Sequence, residues 1–165
     1  MTGLQDYHVY PLFQKAKAME HKEITEKIIG CAYAVYNKMG FGFLESVYEK
    51  CLMIELNKIG LKTHSQKSIK VRYEGIDVGD FIADIIIEDR VLVELKSVSR
   101  LAKSHEIQLV NYLVATGISV GLLINFGDGK VEIKRKVKEL TNKDTVIYRK
   151  IHPILSSCPM EKLAV

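Results

Sequence analysis

The fold and the chemistry both turn on residues 81–96, FIADIIIEDRVLVELK. Two apolar runs, Phe81 to Ile87 and Val91 to Leu95, are broken by Asp84, Glu94 and Lys96. The runs are rich in isoleucine and valine, as in strands covered on both faces. An ionised carboxylate inside such a strand is costly unless it is paired or coordinates a metal. Two acids and a lysine in adjacent strands therefore read as one compensated site.

Alternation places Glu94 and Lys96 on one face of their strand. If Glu88-Asp89-Arg90 forms a three-residue loop, Ile87 opposes Val91 and Asp84 opposes Glu94. All three charged groups then point the same way. A two-residue loop would put Asp84 opposite Leu95 and destroy the arrangement. In the required register, Asp84 and Glu94 would hold a hard divalent cation, magnesium or manganese. The ion would activate a water and offset charge on a phosphate, with Lys96 orienting the nucleophile or stabilising the transition state. The competing reading is a structural ion pair of Lys96 with Glu94, leaving Asp84 at a turn.

Working outward, the pattern is helical from about Glu20 to Met39, with Ile24, Ile28, Cys31, Val35 and Met39 at spacings of three and four. Gly40 and Gly42 break it. A second helix is predicted from about Leu44 to Ile59, with Leu44, Val47, Cys51 and Ile54 as its apolar stripe and Gly60 ending it. Strands are predicted at Ser68–Tyr73, Phe81–Ile87 (its start flanked by Gly75 and Gly79) and Val91–Val98, followed by a helix from Ser104, its expected N-cap, to about Thr116. Val120–Phe126 reads as a buried strand and Lys130–Val137 as an edge strand. The expected order is α-α-β-β-β-α-β-β, an α/β fold with a mixed sheet, flanking helices and a long crossover before the fourth strand. The 165 residues suit a single domain, 1–165, with its core at about 20–138. Residues 1–18 and the tail from about Leu140 carry no readable pattern.

The composition narrows the class. No apolar run approaches the roughly 18 residues that span a bilayer, and the N-terminus does not read as a secretory signal. Cys31, Cys51 and Cys158 are odd in number and widely spaced, which points away from zinc knuckles and disulfides and toward a reduced, cytoplasmic protein. A net charge of +4 is compatible with a polyanionic partner without requiring one.

Ala83-Asp84, nine residues, then Glu94-Leu95-Lys96 resembles the PD-(D/E)XK nuclease superfamily, with alanine at the proline of that name. Gln108-Leu109-Val110-Asn111-Tyr112 resembles the QxxxY motif of its RecB-like exonuclease branches. Gly42-Phe43-Leu44-Glu45-Ser46-Val47-Tyr48 is similar to the signature of the GxxExxY family. The resemblance implies a restriction-endonuclease-like core and a nuclease acting on nucleic acid, with DNA favoured over RNA. A catalytically inactive binding module on the same fold is the alternative. It also implies site roles for Glu45, Gln108 and Tyr112 beside Asp84, Glu94 and Lys96.

Glu45, Tyr48, Glu49 and Leu52 share a helix face, so Glu45 could join Asp84 and Glu94 at the metal, with Glu49 in reserve. A solvent-facing Glu in a first helical turn is the alternative. Gln108 and Tyr112 share a face one turn from His105; Tyr112 could stack on nucleic acid or pack as a half-buried aromatic. His105 reads as a helix-surface residue. Lys130, Lys134, Lys136 and Lys138 form a stripe interrupted by Glu132, read as an edge-strand guard ahead of a phosphate contact. One site per chain would make a homodimer necessary for paired cuts.

Overall fold

A computed structural model describes residues 19–138. The expectations for residues 1–18 and for the tail, Cys158 included, lie outside that range. Among the described residues two helices come first, α1 (Lys22–Met39) and α2 (Glu45–Lys58). Three strands follow, β1 (Thr63–Tyr73), β2 (Ile76–Ile87) and β3 (Val91–Lys96). Helix α3 (Lys103–Thr116), β4 (Val120–Phe126) and β5 (Val131–Val137) complete the set. The order is the one the sequence predicts.

The five strands form one sheet in the order β1-β2-β3-β4-β5. Only β3 and β4 run parallel, and α3 supplies the crossover such a pair needs. On one face, Ile28 and Val35 of α1 and Tyr48 and Leu52 of α2 pack on Ile85, Val93 and Leu122. On the other, Leu109 and Leu113 of α3 pack on Ile86, Leu92 and Leu123. Central strands buried on both faces explain their near-continuous apolar sequence. The packing of α3 is close: a Cβ on Gly121 would lie 2.8 Å from Leu109 Cδ1.

Several boundaries differ from expectation. Both β1 and β2 are longer than predicted, forming a ribbon paired from Thr63↔Ile87 to Tyr73↔Ile76. The buried stripe of α2 is Tyr48, Leu52 and Leu56, whereas Leu44 and Ile54 are 75% and 55% exposed. Both stripes have helical spacing. Contact decides between them, because the Tyr48 ring stacks on Phe126 with centroids 4.2 Å apart. Ser104 is not the cap of α3; Ala102 holds that position. Its backbone N–H donates to Nδ1 of His105 at 3.2 Å, which gives His105 a capping role.

Candidate active site

The hairpin between β2 and β3 has the predicted three-residue loop. Glu88 and Asp89 both adopt φ +53°, and the pairs are Ile87↔Val91, Ile86↔Leu92 and Ile85↔Val93. Pairing stops there, one step short of Asp84 and Glu94.

At Asp84 the strand departs from regular alternation. Ala83 packs with the α3 core and Ile85 with the α1/α2 core, so the sequence of faces reverses across Asp84. Its neighbour across the ribbon, Gln66, has φ +52°, the left-handed region that a residue with Cβ seldom occupies. The ribbon pairs flanking this position are Ser65↔Ile85 and Lys67↔Ala83. Simple alternation would put Asp84 on a face shared with Glu94 and Lys96. At the kink its carboxylate reaches β3, where Oδ2 accepts the Leu95 backbone N–H at 2.7 Å. The side chain takes over the amide just where the β2–β3 ladder ends.

Glu94 and Lys96 are two residues apart on β3. Lys96 Nζ lies 2.8 Å from Glu94 Oε1, and the Glu94 side chain is only 4% exposed. The ion pair of the competing reading is therefore present, but it satisfies one oxygen. Glu94 Oε2 is buried with no hydrogen-bond partner. Buried polar atoms in folded proteins rarely stay unsatisfied without a reason.

Burial pushes the Glu94 carboxyl up to about 7; the Lys96 hydrogen bond opposes the rise, and the charges of Asp84 and Glu45 add to it. Burial also raises Asp84, against the Leu95 hydrogen bond and the Lys96 charge and with the help of Glu45. For Lys96, burial pulls the pKa down. The hydrogen bond and charge of Glu94, then Glu45 and Asp84, outweigh that and raise it, so the ammonium stays charged. Asp84, Glu94, Lys96 and Glu45 thus form one electrostatic group.

Glu45 enters from the first turn of α2. Its Oε1 accepts the Ser97 backbone N–H at 3.2 Å, and Ser97 Oγ donates to the Phe43 carbonyl at 2.7 Å. These bonds tie the entry of α2 to the end of β3. The motif that contains Glu45 divides its labour. Tyr48 is fully buried, and its hydroxyl donates to the Gly40 carbonyl at 2.8 Å. Its role is to hold the loop that presents Glu45. Glu49 is gripped by Gln66, whose Nε2 lies 2.5 Å from Glu49 Oε2. Burial raises the Glu49 carboxyl, the Gln66 bond opposes this, and the charge of Asp84 adds to it.

A family model described as the PD-(D/E)XK nuclease superfamily matches residues 22–136. The chain belongs to the PD-(D/E)XK nuclease superfamily. No curated protein matches it. Among solved structures it is similar to one titled "Crystal structure of SSO0001", at 18% identity and a TM-score of 0.43, covering 87% of this chain and 72% of that one.

Nucleases of the PD-(D/E)XK superfamily generally use divalent metal ions. Among the described residues, no three His, Cys, Asp or Glu side chains gather into a ready-made metal cage. The donor chemistry nonetheless fits a hard cation. Glu94 offers a buried, unpartnered oxygen, and the hydrogen bond to Leu95 engages only Oδ2 of Asp84. Magnesium is commonly held by one or two carboxylates with waters completing its shell.

The remaining predicted residues make contacts of their own. Gln108 Nε2 donates to the Tyr112 hydroxyl at 2.7 Å, and Tyr112 stacks on Phe81 with centroids 3.8 Å apart. Neither is hydrogen-bonded to Asp84, Glu94 or Lys96. In the lysine stripe, Lys136 pairs with Glu106 of α3 at 2.5 Å and Lys134 with Glu132 at 3.8 Å, on an edge strand.

Sequence patterning does not single out Asn125, which the structure does. It is buried on β4, in register with Lys96. Its Oδ1 accepts the Val98 N–H at 2.9 Å, and its Nδ2 donates to the Val98 carbonyl at 2.8 Å. This clamp ends β3 at Lys96 and fixes the chain just beyond the site. A polar residue inside the apolar run Val120 to Phe126 is the signal that could have found it.

Proposed function

We propose that this chain is a metal-dependent nuclease that hydrolyses phosphodiester bonds, acting on DNA ahead of RNA, with magnesium or manganese as its ion. The observation that carries the reading is the buried, unpartnered Glu94 Oε2 in electrostatic contact with Asp84. A purely structural ion pair would leave that oxygen unexplained.

Asp84 and Glu94 would hold the ion directly, and Glu45, already engaged by the Ser97 amide, would act on its water shell. When bound, the ion supplies a more acidic water and offsets negative charge at the phosphate. Lys96, kept charged by its acidic neighbours, donates a hydrogen bond to the attacking water or a phosphate oxygen. Gln108 and Tyr112 would contact the nucleic-acid strand. The resemblance of this pair to exonuclease branches puts DNA first. Gly42, Glu45 and Tyr48 support a place in the GxxExxY branch.

The test is incubation with labelled single- and double-stranded DNA and RNA, with magnesium, manganese or EDTA, beside Lys96→Ala. The expected result is cleavage that needs the metal and falls by orders of magnitude in Lys96→Ala. Cleavage that survives EDTA, or that Lys96→Ala leaves intact, would overturn the mechanism. No cleavage of any substrate would leave a binding module.

A further inference from the structure

The loop between α1 and α2 exposes apolar side chains at the rim of the acidic group. Phe41 is 57% exposed, Phe43 43% and Leu44 75%. Exposed apolar residues scattered singly need no explanation, but a cluster on one short loop does.

This loop is held from several sides. The Tyr48 hydroxyl donates to the Gly40 carbonyl and lies 3.4 Å from the Phe43 N–H. Ser97 Oγ donates to the Phe43 carbonyl, and the Phe43 ring meets Tyr48 edge-on at 6.1 Å. Gly40 and Gly42 take φ +70° and +98°, which makes the tight path possible. The backbone that carries the aromatics is therefore anchored to the same strand end that receives Glu45.

We infer that Phe41 and Phe43 form a stacking platform for an unpaired nucleobase next to the cleaved phosphate. The inference rests on the nuclease reading and names the substrate feature it selects: a single strand, or the frayed end of a duplex. Phe43 and Phe41 are two and four residues from Glu45, so no more than about 7 Å and about 14 Å of backbone separate them from it. Every base has a π-face, so stacking on aromatics holds a strand without reading its sequence. Apolar side chains such as Phe and Leu also serve as wedges between base steps. Continuity with the acidic group favours a nucleobase over a protein partner, because Ser97 ties both Glu45 and the Phe43 backbone to one strand end.

The test measures oligonucleotide binding by fluorescence anisotropy with the full chain, calcium replacing magnesium to hold off cleavage. The probes are a single strand, the same strand with abasic positions, and a blunt duplex. Phe41→Ala should weaken single-strand binding roughly 5- to 150-fold. An abasic position should weaken wild-type binding similarly, and the two losses should not add. Phe41→Trp should retain affinity, and the duplex should lose less. Additive losses, or equal losses on both probes, would overturn the platform. So would Phe41→Ala shifting the sedimentation of the free protein with nucleic-acid affinity intact, which would mark the loop as a protein contact. A metal-dependent rise in melting temperature separates the two readings: if it persists, the platform alone has failed; if it and all binding are absent, the nuclease reading has failed too.

Discussion

Asp84 Oδ2 accepts the backbone N–H of Leu95 at 2.7 Å, although the Leu95 side chain lies in the α1/α2 core. The carboxylate thus caps the place where the two strands part, using one of its two oxygens. Asp84→Asn can keep this bond through its amide oxygen and removes a charge that burial and Glu45 both disfavour. The metal-free variant should unfold within about 1 kcal/mol of wild type. Asp84→Ala should lose about 1–3 kcal/mol, because it orphans the Leu95 amide. Urea melts in EDTA check both; equal stability of the two variants would mean that the hydrogen bond contributes little.

Glu94 supplies a pH signature. Its folded pKa of about 7 lies above the ordinary 4.5 because burial penalises the charged form. The folded state therefore holds the proton more tightly than the unfolded state. The corresponding stability is complete below about pH 4.5 and is lost as pH rises through 7. A tenfold change in proton affinity between the two states is worth about 1.4 kcal/mol, so the loss is on the order of a few kcal/mol. Glu94→Gln has no such proton to lose, so its stability relative to wild type should rise from pH 5 to pH 8 in EDTA. Parallel stability curves for the two proteins would contradict the raised pKa.

The division of labour between Glu45 and Tyr48 gives opposite phenotypes. Tyr48→Phe keeps the stacked ring but leaves the Gly40 carbonyl without its donor, at a cost of about 1 kcal/mol. Its cleavage rate per folded molecule should stay within a few-fold of wild type. Glu45→Gln should melt near the wild-type temperature and lose tenfold or more in rate. Rates measured beside thermal melts decide. A Tyr48→Phe enzyme that is fully folded and inactive would give the tyrosine a chemical role.

Much of this arrangement is legible in residues 81–96. Charges inside apolar strands mark the site, and a three-residue loop sets the register that Ile87↔Val91 displays. Local pattern does not reveal the kink at Asp84, which lies across from the left-handed Gln66 of another strand. Nor does it choose the buried face of α2, where two stripes have equal periodicity and only contact with Phe126 separates them. Ser97 is invisible to it for a related reason: its bonds to Glu45 and Phe43 span 52 and 54 residues.

The Asn125 clamp has a neighbour with no room to spare. A Cβ on Gly127 would lie 2.8 Å from Asn125 Nδ2 and 2.9 Å from the Val98 carbonyl oxygen. Gly127→Ala should therefore displace the clamp and cost about 1–3 kcal/mol. Asn125→Ala should cost a similar amount by leaving both Val98 groups unpaired. The double variant should be less destabilised than the sum, because the clash with Asn125 Nδ2 is then gone and only the one with the Val98 carbonyl remains. Additive losses in urea melts would show that the two residues act separately.

Everything proposed for the site depends on Asp84 and Glu94 binding a divalent cation together. Binding to the folded state alone raises stability by mass action, by about 2.7 kcal/mol at a hundred times Kd. The direct measurement is the melting temperature of wild type and Asp84→Asn, each titrated with magnesium and with manganese against an EDTA baseline. A saturable rise of several degrees is expected in wild type and none in Asp84→Asn. A wild-type melting temperature indifferent to both metals, or an equal rise in the variant, would contradict a shared cation.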